Sequence, residues 1–385
     1  MTAETEGLRE LRRGVRDLCS RFPDGYWRDL DARRGYPEEF VRAMTEAGYL
    51  GALIPEEYGG MGLDLTAACA ILEEANRSGA NANPAHAQMY VMGTLLRHGS
   101  EEQKQRYLPK IASGELRLQA FAVTEPEAGT DTTQITTFAE RRGDRYAVNG
   151  RKIYISRVQQ SDLMMVLART TPVEEVEKRS EGLSVFIVDL REVGDRLEVG
   201  RRRVMMNNFT NELWFREVEV PARNRIGQEG KGLRYVLDGM NAERILIAAE
   251  CVGDGRFFID RATGRAKERV VFGRPIGQNQ GVQFPIARAH ADVEAADLMV
   301  RKAAALFDAG EACGAEANMA KLLAADASWE AANVAVQTFG GYGVDAEYDV
   351  ERKFRETRLY QIAPISTNLI LSYVAEHVLG LPRSF

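Results

Sequence analysis

Apolar and polar positions change their period twice along the chain, and the two changes divide it into three parts. From residue 1 to about 118, apolar and charged residues alternate at helical spacing, as in LRELRRGVRDLCSRF and PEEFVRAMTEAGYL, broken by the turn-rich PEEYGGMGLD. This predicts an N-terminal helical domain over 1–118. Its last helix is expected in SEEQKQRYLPKIASGE, with Ser100 as cap and Gly114 as stop. From Leu116 the chain turns to short β-rich runs, among them LRLQAFAVTE, RYAVNGRKIYIS, LMMVLART, LSVFIVDL and ELWFREVEV. Asn149-Gly150 reads as a hairpin turn. A compact sheet or barrel follows over 119–226. After GQEGKG the helical period returns and holds. Stretches beginning at Gly232, Gly281 and Glu316, and a last helix from about Ser366, predict a C-terminal four-helix bundle over 227–385. The expected class is multi-domain α+β in the order helices, strands, helices.

Within the third part, VLDGMNAERILIAA places one carboxylate on an apolar helix. At 3.6 residues per turn Val236, Met240, Leu246 and Ile247 lie on the side that carries Glu243. An ionised carboxylate among aliphatic side chains must be paired, protonated or used in chemistry that needs a raised pKa. The helix alone leaves two readings open: an ion pair with Arg244 or another cation, and an acid–base group.

Composition narrows the classes. A chain of 385 residues with 45% hydrophobic positions has room for two or three domains and a large core. A formal charge of −6 favours solubility and argues against a nucleic-acid partner, so Arg201-Arg202-Arg203 is read as a solvated loop. Cys19, Cys69, Cys251 and Cys313 are too scattered for a disulfide framework or a zinc site, which points to a reducing, cytoplasmic setting. His86, His98, His290 and His377 show no ligand spacing, and no metal is expected. GQEGKGL lacks the spacing of a phosphate loop. Neither a signal core nor an apolar run long enough to span a membrane is expected.

Four motifs occur in order: FAVTEPEAGTD from Phe121, VNGRKIYIS from Val148, FGRPIGQNQGVQF from Phe272 and AVQTFGGYG from Ala335. Together they resemble the acyl-CoA dehydrogenase family of flavoproteins over essentially the whole chain. The resemblance implies FAD as cofactor, an acyl-CoA substrate, an electron-transfer flavoprotein as acceptor, and a homotetramer built as a dimer of dimers. It implies that Phe121, Val123 and Thr124 meet the flavin ring and that Thr130 faces both cofactor and the CoA arm. Tyr154 and Ser156 stand where the family usually has Trp and Thr, and Arg157 stands for the usual Asn. Arg269, Phe272, Gln280, Gln337, Gly340 and Gly341 match positions that reach the FAD of a neighbouring subunit. Ser366 and Asn368 match further cofactor positions, and Asn241 and Arg244 substrate positions.

One part of the family pattern is broken. Most members end their catalytic loop with YEGT, whose Glu is the base, but here the aligned residues are Ala363, Pro364, Ile365 and Ser366. Pro364 also lacks the backbone N–H that polarises the thioester carbonyl. A minority of the family, including isovaleryl-CoA dehydrogenase, carries the base on the long helix within ERxxxA, and Glu243 falls there. The resemblance therefore implies α,β-dehydrogenation of an acyl thioester, branched or bulky in its acyl part, with Glu243 as general base. Glu250 and Asp254, on nearly the same face, are read as structural. Three alternatives remain open at this point. They are an acyl-carrier-protein dehydrogenase or oxidase on the same scaffold, a flavin monooxygenase, and a non-catalytic subunit of a heteromeric dehydrogenase.

Overall fold

The computed structural model describes residues 5–383. Six helices come first: α1 (Glu6–Cys19), α2 (Asp24–Ala32), α3 (Glu38–Glu46), α4 (Leu65–Arg77), α5 (Asn83–His98) and α6 (Glu101–Ala112). Local chemistry sets their ends. Asp64 accepts from the Ala67 N–H at 2.8 Å at the start of α4. At α6 the expected cap is a full capping box, Ser100 Oγ accepting from Gln103 N–H at 3.2 Å while Gln103 Oε1 accepts from Ser100 N–H at 2.9 Å.

Eight strands follow: β1 (Leu118–Ala122), β2 (Phe138–Arg142), β3 (Arg145–Ser156), β4 (Leu163–Arg169), β5 (Leu183–Asp189), β6 (Leu197–Arg201), β7 (Thr210–Pro221) and β8 (Arg225–Ile226). They form one open sheet ordered β6-β7-β3-β2-β4-β5-β8, with β1 laid parallel along β4. Alternate residues of β4 and β5 serve two cores. Leu163, Met165, Leu167, Val185 and Ile187 pack toward α5, α6 and the start of the next helix, whereas Met164, Val166, Phe186 and Val188 pack with Leu213 and Phe215 of β7. Asn149-Gly150 is not a hairpin. It lies inside the continuous strand β3 at a register shift, with Gly150 at φ 146°, and the chain reverses instead at Gly143 between β2 and β3. The dipeptide met the sequence criterion, but β3 pairs with β7 on both sides of it and with β2 up to Asn149, so the extra residue is taken up as a bulge.

The helical remainder is α7 (Gly232–Glu268), the small hairpin β9 (Val270–Val271) and β10 (Arg274–Pro275), then α8 (Gln280–Asp308), α9 (Gly314–Phe339), α10 (Asp349–Thr357) and α11 (Thr367–Tyr373), which runs on as a π-turn over Val374–Val378. Three of the four expected bundle helices are long, but the fourth is short. A helix the sequence reading passed over, α10, packs by its ionic face: Arg352 and Lys353 are fully buried and pair with Asp349, Glu356 and Asp254. Its charged composition resembles a solvated face, which is why the apolar pattern did not register it. Gly253 and Gly255 let α7 touch its neighbours, since a Cβ at Gly253 would lie 2.3 Å from the Glu73 carbonyl of α4 and one at Gly255 2.6 Å from Val293 of α8. Among the described residues no helix is long and apolar enough to cross a membrane, and no group of His, Cys, Asp and Glu could hold a metal ion. All four cysteines are free and buried.

Candidate active site

Glu243 lies where α7 passes α5, and α5 in turn packs on β1. The C-terminal turn of α5 is fastened to the first turns of α7. His98 Nε2 lies 3.1 Å from Asp238, the His98 and Tyr235 rings stack at 4.3 Å, and Arg97 donates to the Asp238 carbonyl. That junction sets Tyr90 of α5 beside Phe121 of β1, ring centroids 6.2 Å apart, in a cluster that also takes in Val123 and Met240. Glu243 is 6% exposed, and among the described residues no hydrogen bond or ion pair reaches it. Burial raises its carboxyl from 4.5 to about 8, and the neighbouring Arg244 offsets only part of that. Burial first, and then the Glu243 carboxylate, push the Tyr90 hydroxyl above its ordinary range.

Arg244 does not form the ion pair that the helix alone allowed. Its guanidinium turns back one turn and donates to Asn241 Oδ1 at 2.9 Å. Asn241 faces the start of α9 and the end of α11, where a Cβ at Gly314 would lie 2.7 Å from the Tyr373 hydroxyl and 3.9 Å from Asn241 Nδ2. Seven residues along α7, Glu250 is fully buried 3.6 Å from His86. Burial first, then Asp254, raises Glu250 to about 8, while burial and Arg157 push His86 down to about 3. Asp254, eleven residues beyond Glu243, is spoken for by Lys353 at 2.5 Å.

The turn after β1 is held from behind. Lys152 of β3, fully buried, donates to the Val123 carbonyl at 2.8 Å and to Glu125 at 2.9 Å, and the Thr136 and Thr137 N–H groups add bonds of 2.8 and 2.9 Å to Glu125. Burial alone would raise Glu125, but Lys152 and these donors hold it below its usual value, and burial lowers Lys152 to about 8. In a trans peptide the carbonyl and the next N–H point in opposite directions. With the Val123 carbonyl on Lys152, the Thr124 N–H faces away from the sheet interior, while the Thr124 carbonyl takes the Ile153 N–H at 2.9 Å. Lys152 and Glu125 both lie inside the motifs quoted above, so a partner for the Glu was legible. Tyr90 and His86 carried no local signal.

The remaining expected residues fall in three places. Tyr154 is 59% exposed at φ 60°, and Ser156 Oγ accepts from Asn208 at 3.1 Å. Arg157, also left-handed at φ 58°, is buried and donates to Asn208 Oδ1 at 2.7 Å. Thr130 is exposed on the turn beyond β1, and Ser366 and Asn368 begin α11, with Ser366 as its cap. Arg269, Phe272, Gln280, Gln337, Gly340 and Gly341 are all exposed at the far end of α7, where Arg265 stacks on Tyr342 at 4.7 Å. At 1.5 Å per residue that end lies about 39 Å along α7 from Glu243. The chain therefore does not bring this group to its own Glu243.

Comparison with known proteins gives a consistent picture. Residues 5–115, 120–218 and 230–379 match the family profiles described as acyl-CoA dehydrogenase N-terminal, middle and C-terminal domain. The chain is 36% identical over 385 residues to the acyl-CoA dehydrogenase FadE12 of Mycobacterium tuberculosis, covering 99% of this chain and 98% of that one. It is 35% identical over 385 residues to the cyclohex-1-ene-1-carbonyl-CoA dehydrogenase of Syntrophus aciditrophicus, with 99% and 92% covered. Among solved structures, a glutaryl-coenzyme A dehydrogenase complex with glutaryl-CoA superposes with a TM-score of 0.92 at 33% identity, covering 100% of this chain and 98% of the other.

Proposed function

The chain belongs to the acyl-CoA dehydrogenase family, and from that premise we propose that Glu243 is the base that removes the α-proton of an acyl-CoA thioester. The protein is an oxidoreductase acting on CH–CH donors, and its cofactor is FAD. The residues present fit that group. The Thr124 N–H is turned outward with no partner among the described residues, and the exposed Tyr154 ring offers a π face. At the far end a Cβ at Gly340 or Gly341 would meet no atom within 4 Å, so backbone is open to close approach. Phe121, Val123, Thr124, Thr130, Tyr154, Ser156, Ser366 and Asn368 would hold the cofactor from within the protomer. Arg269, Phe272, Gln280, Gln337, Gly340 and Gly341 would reach that of a neighbour in a homotetramer.

FAD supplies the acceptor for the β-hydrogen and its electron pair, so that loss of the α-proton and of that hydrogen leaves a carbon–carbon double bond. Everything else falls to the chain. Glu243 stands unpaired beside Tyr90 and Met240, so its ionised form is a strong base with nothing to be pulled away from. Tyr90 and Phe121 exclude water from the same space. Asn241 and Arg244, joined to each other on the α9 side, hold the thioester arm. The observation that carries the proposal is a buried carboxylate on α7, beside Tyr90, that no hydrogen bond or ion pair engages among the described residues, in a chain whose loop has Ala363-Pro364 where most relatives carry the base. The Syntrophus relative, named for a cyclohexene-carbonyl thioester, supports a bulky acyl group. An electron-transfer flavoprotein is the acceptor we assign. Anaerobic titration with a panel of acyl-CoA thioesters, following loss of flavin absorbance beside Glu243→Gln, tests the assignment. Unchanged bleaching in the variant moves the base elsewhere, and no bleaching by any thioester removes the dehydrogenation reading.

A further inference from the structure

Pro364 leaves the loop between α10 and α11 without one amide, and neighbouring amides are the available substitutes. The Ala363 N–H is spent on the Leu359 carbonyl at 3.0 Å. Among the described residues the Ile365 and Ser366 N–H groups donate to nothing. What fixes their peptides is a side chain from another helix. Lys321 of α9, fully buried, sends its ammonium to the Ile365 carbonyl at 2.9 Å, its single hydrogen bond among the described residues. A second tie lies four residues earlier in the loop, where Gln361 Nε2 donates to Asp326 of α9 at 3.0 Å. Thr367 Oγ1 then closes the loop on the Gln361 carbonyl at 3.3 Å.

The arrangement repeats the one beneath β1. In both places a fully buried lysine grips a loop carbonyl, and planarity of the peptide turns the following N–H the other way. Lys152 has Glu125 as its counter-ion, whereas no salt bridge reaches Lys321 among the described residues; burial holds its ammonium below the usual value, with Asp326 of α9 favouring the charge from a distance and Arg244 of α7 opposing it. A buried ammonium without a paired carboxylate is costly to keep. An apolar residue would fill the volume at lower cost, so the hydrogen bond to Ile365 is what its presence secures.

We propose that Lys321 is a positioning residue that clamps the Ile365 carbonyl and so aims the Ser366 N–H away from α9, as the donor that polarises the thioester carbonyl in place of the amide missing at Pro364. The proposal rests on the dehydrogenation reading for its catalytic part, and it adds α9 to the elements that shape the site. The proton step can be isolated with a CoA thioester whose β-carbon is replaced by sulfur. The α-proton still exchanges with solvent, but no β-hydrogen can leave.

The test compares the FAD-loaded wild type with Lys321→Met and Lys321→Arg. Backbone hydrogen–deuterium exchange over residues 363–368 is measured alongside α-proton exchange of that thioester in D2O, at matched FAD occupancy. Lys321→Met should speed loop exchange and slow α-proton exchange by about 10²-fold, the scale of a misplaced or lost oxyanion donor. Lys321→Arg, which keeps an N–H donor, should recover both. Unaltered loop exchange in Lys321→Met overturns the clamp, and faster loop exchange with wild-type α-proton exchange overturns its catalytic part. If the Met variant does not fold, Lys321→Arg decides, since a loosened loop beside normal α-proton exchange also overturns the proposal. If the wild type exchanges no α-proton at all, the dehydrogenation reading has failed, and loop exchange still decides whether Lys321 holds the loop.

Discussion

Replacing Glu243 by Gln removes the negative charge while keeping size and shape, and the structure sets two magnitudes for the result. The first is catalytic. With its carboxyl at about 8, the free enzyme holds about one-tenth of Glu243 ionised at pH 7, half at pH 8 and nine-tenths at pH 9. Since the base works deprotonated, wild-type kcat/KM should rise with unit slope below pH 8 and level off above about 9. The Gln variant should lose that limb and fall by roughly 10²–10⁴. The second magnitude is stability, with its own sign. A carboxyl whose folded value lies above its unfolded one favours the neutral form. Its contribution is intact below 4.5 and is lost as pH rises through about 8. Carrying 4.5 to 8 through the linkage relation gives a ceiling of about 5 kcal/mol that the wild type forfeits by pH 9 and the Gln variant keeps. Denaturant unfolding at pH 5 and pH 9, beside a pH profile of kcat/KM, reads both. A Gln variant within tenfold of wild type at pH 9 refutes the base assignment. A variant that is no more stable than wild type at pH 9 refutes the isolation on which it rests.

Three further outcomes follow from other contacts. Lys152→Met strands Glu125 in the sheet interior and should cost about 3–5 kcal/mol in denaturant unfolding, since breaking a buried pair leaves an uncompensated charge. Gly253→Ala forces a Cβ to within 2.3 Å of the Glu73 carbonyl and should cost about 1–3 kcal/mol with little change in KM, measured by the same unfolding and by steady-state kinetics. Arg269→Ala, at an exposed position far from Glu243, should leave thermal unfolding of the apoprotein unchanged but lower the FAD-to-protein ratio that survives gel filtration, and full retention would count against a role toward a neighbour's cofactor.

The order of helices, sheet and helices was legible because it is written in periods of 3.6 and 2, which depend on near neighbours alone. The burial of Glu243 was legible in part for the same reason, since apolar residues one turn away on its own helix share its face, but Tyr90, which stands beside it, comes from α5. What was hidden depends on partners far off in sequence. Lys321 meets Ile365 across 44 residues and Lys353 meets Asp254 across 99, and an isolated lysine in either helix looks like a solvated one. Helix α10 escaped for that reason, its inward face being ionic. Asn149-Gly150 misled in the opposite direction. The dipeptide has the turn chemistry, but the strand on either side was already committed to β2 and β7, and tertiary pairing prevailed over local preference.

Because Glu243 is carried by the 37-residue α7, wedged against α4 at Gly253 and against α8 at Gly255, the carboxylate we assign as base is mounted on a strut instead of a hinge. A base on a surface loop can follow substrates of different girth by bending its own backbone. Here the strut cannot yield without prying three helices apart, so any tolerance for different acyl groups has to come from the opposite wall, at Tyr90, Phe121 and the short loop that Lys321 tethers. Laboratory evolution toward new acyl groups on this scaffold should therefore gather its changes on α5 and around residues 362–366, and leave the strut untouched.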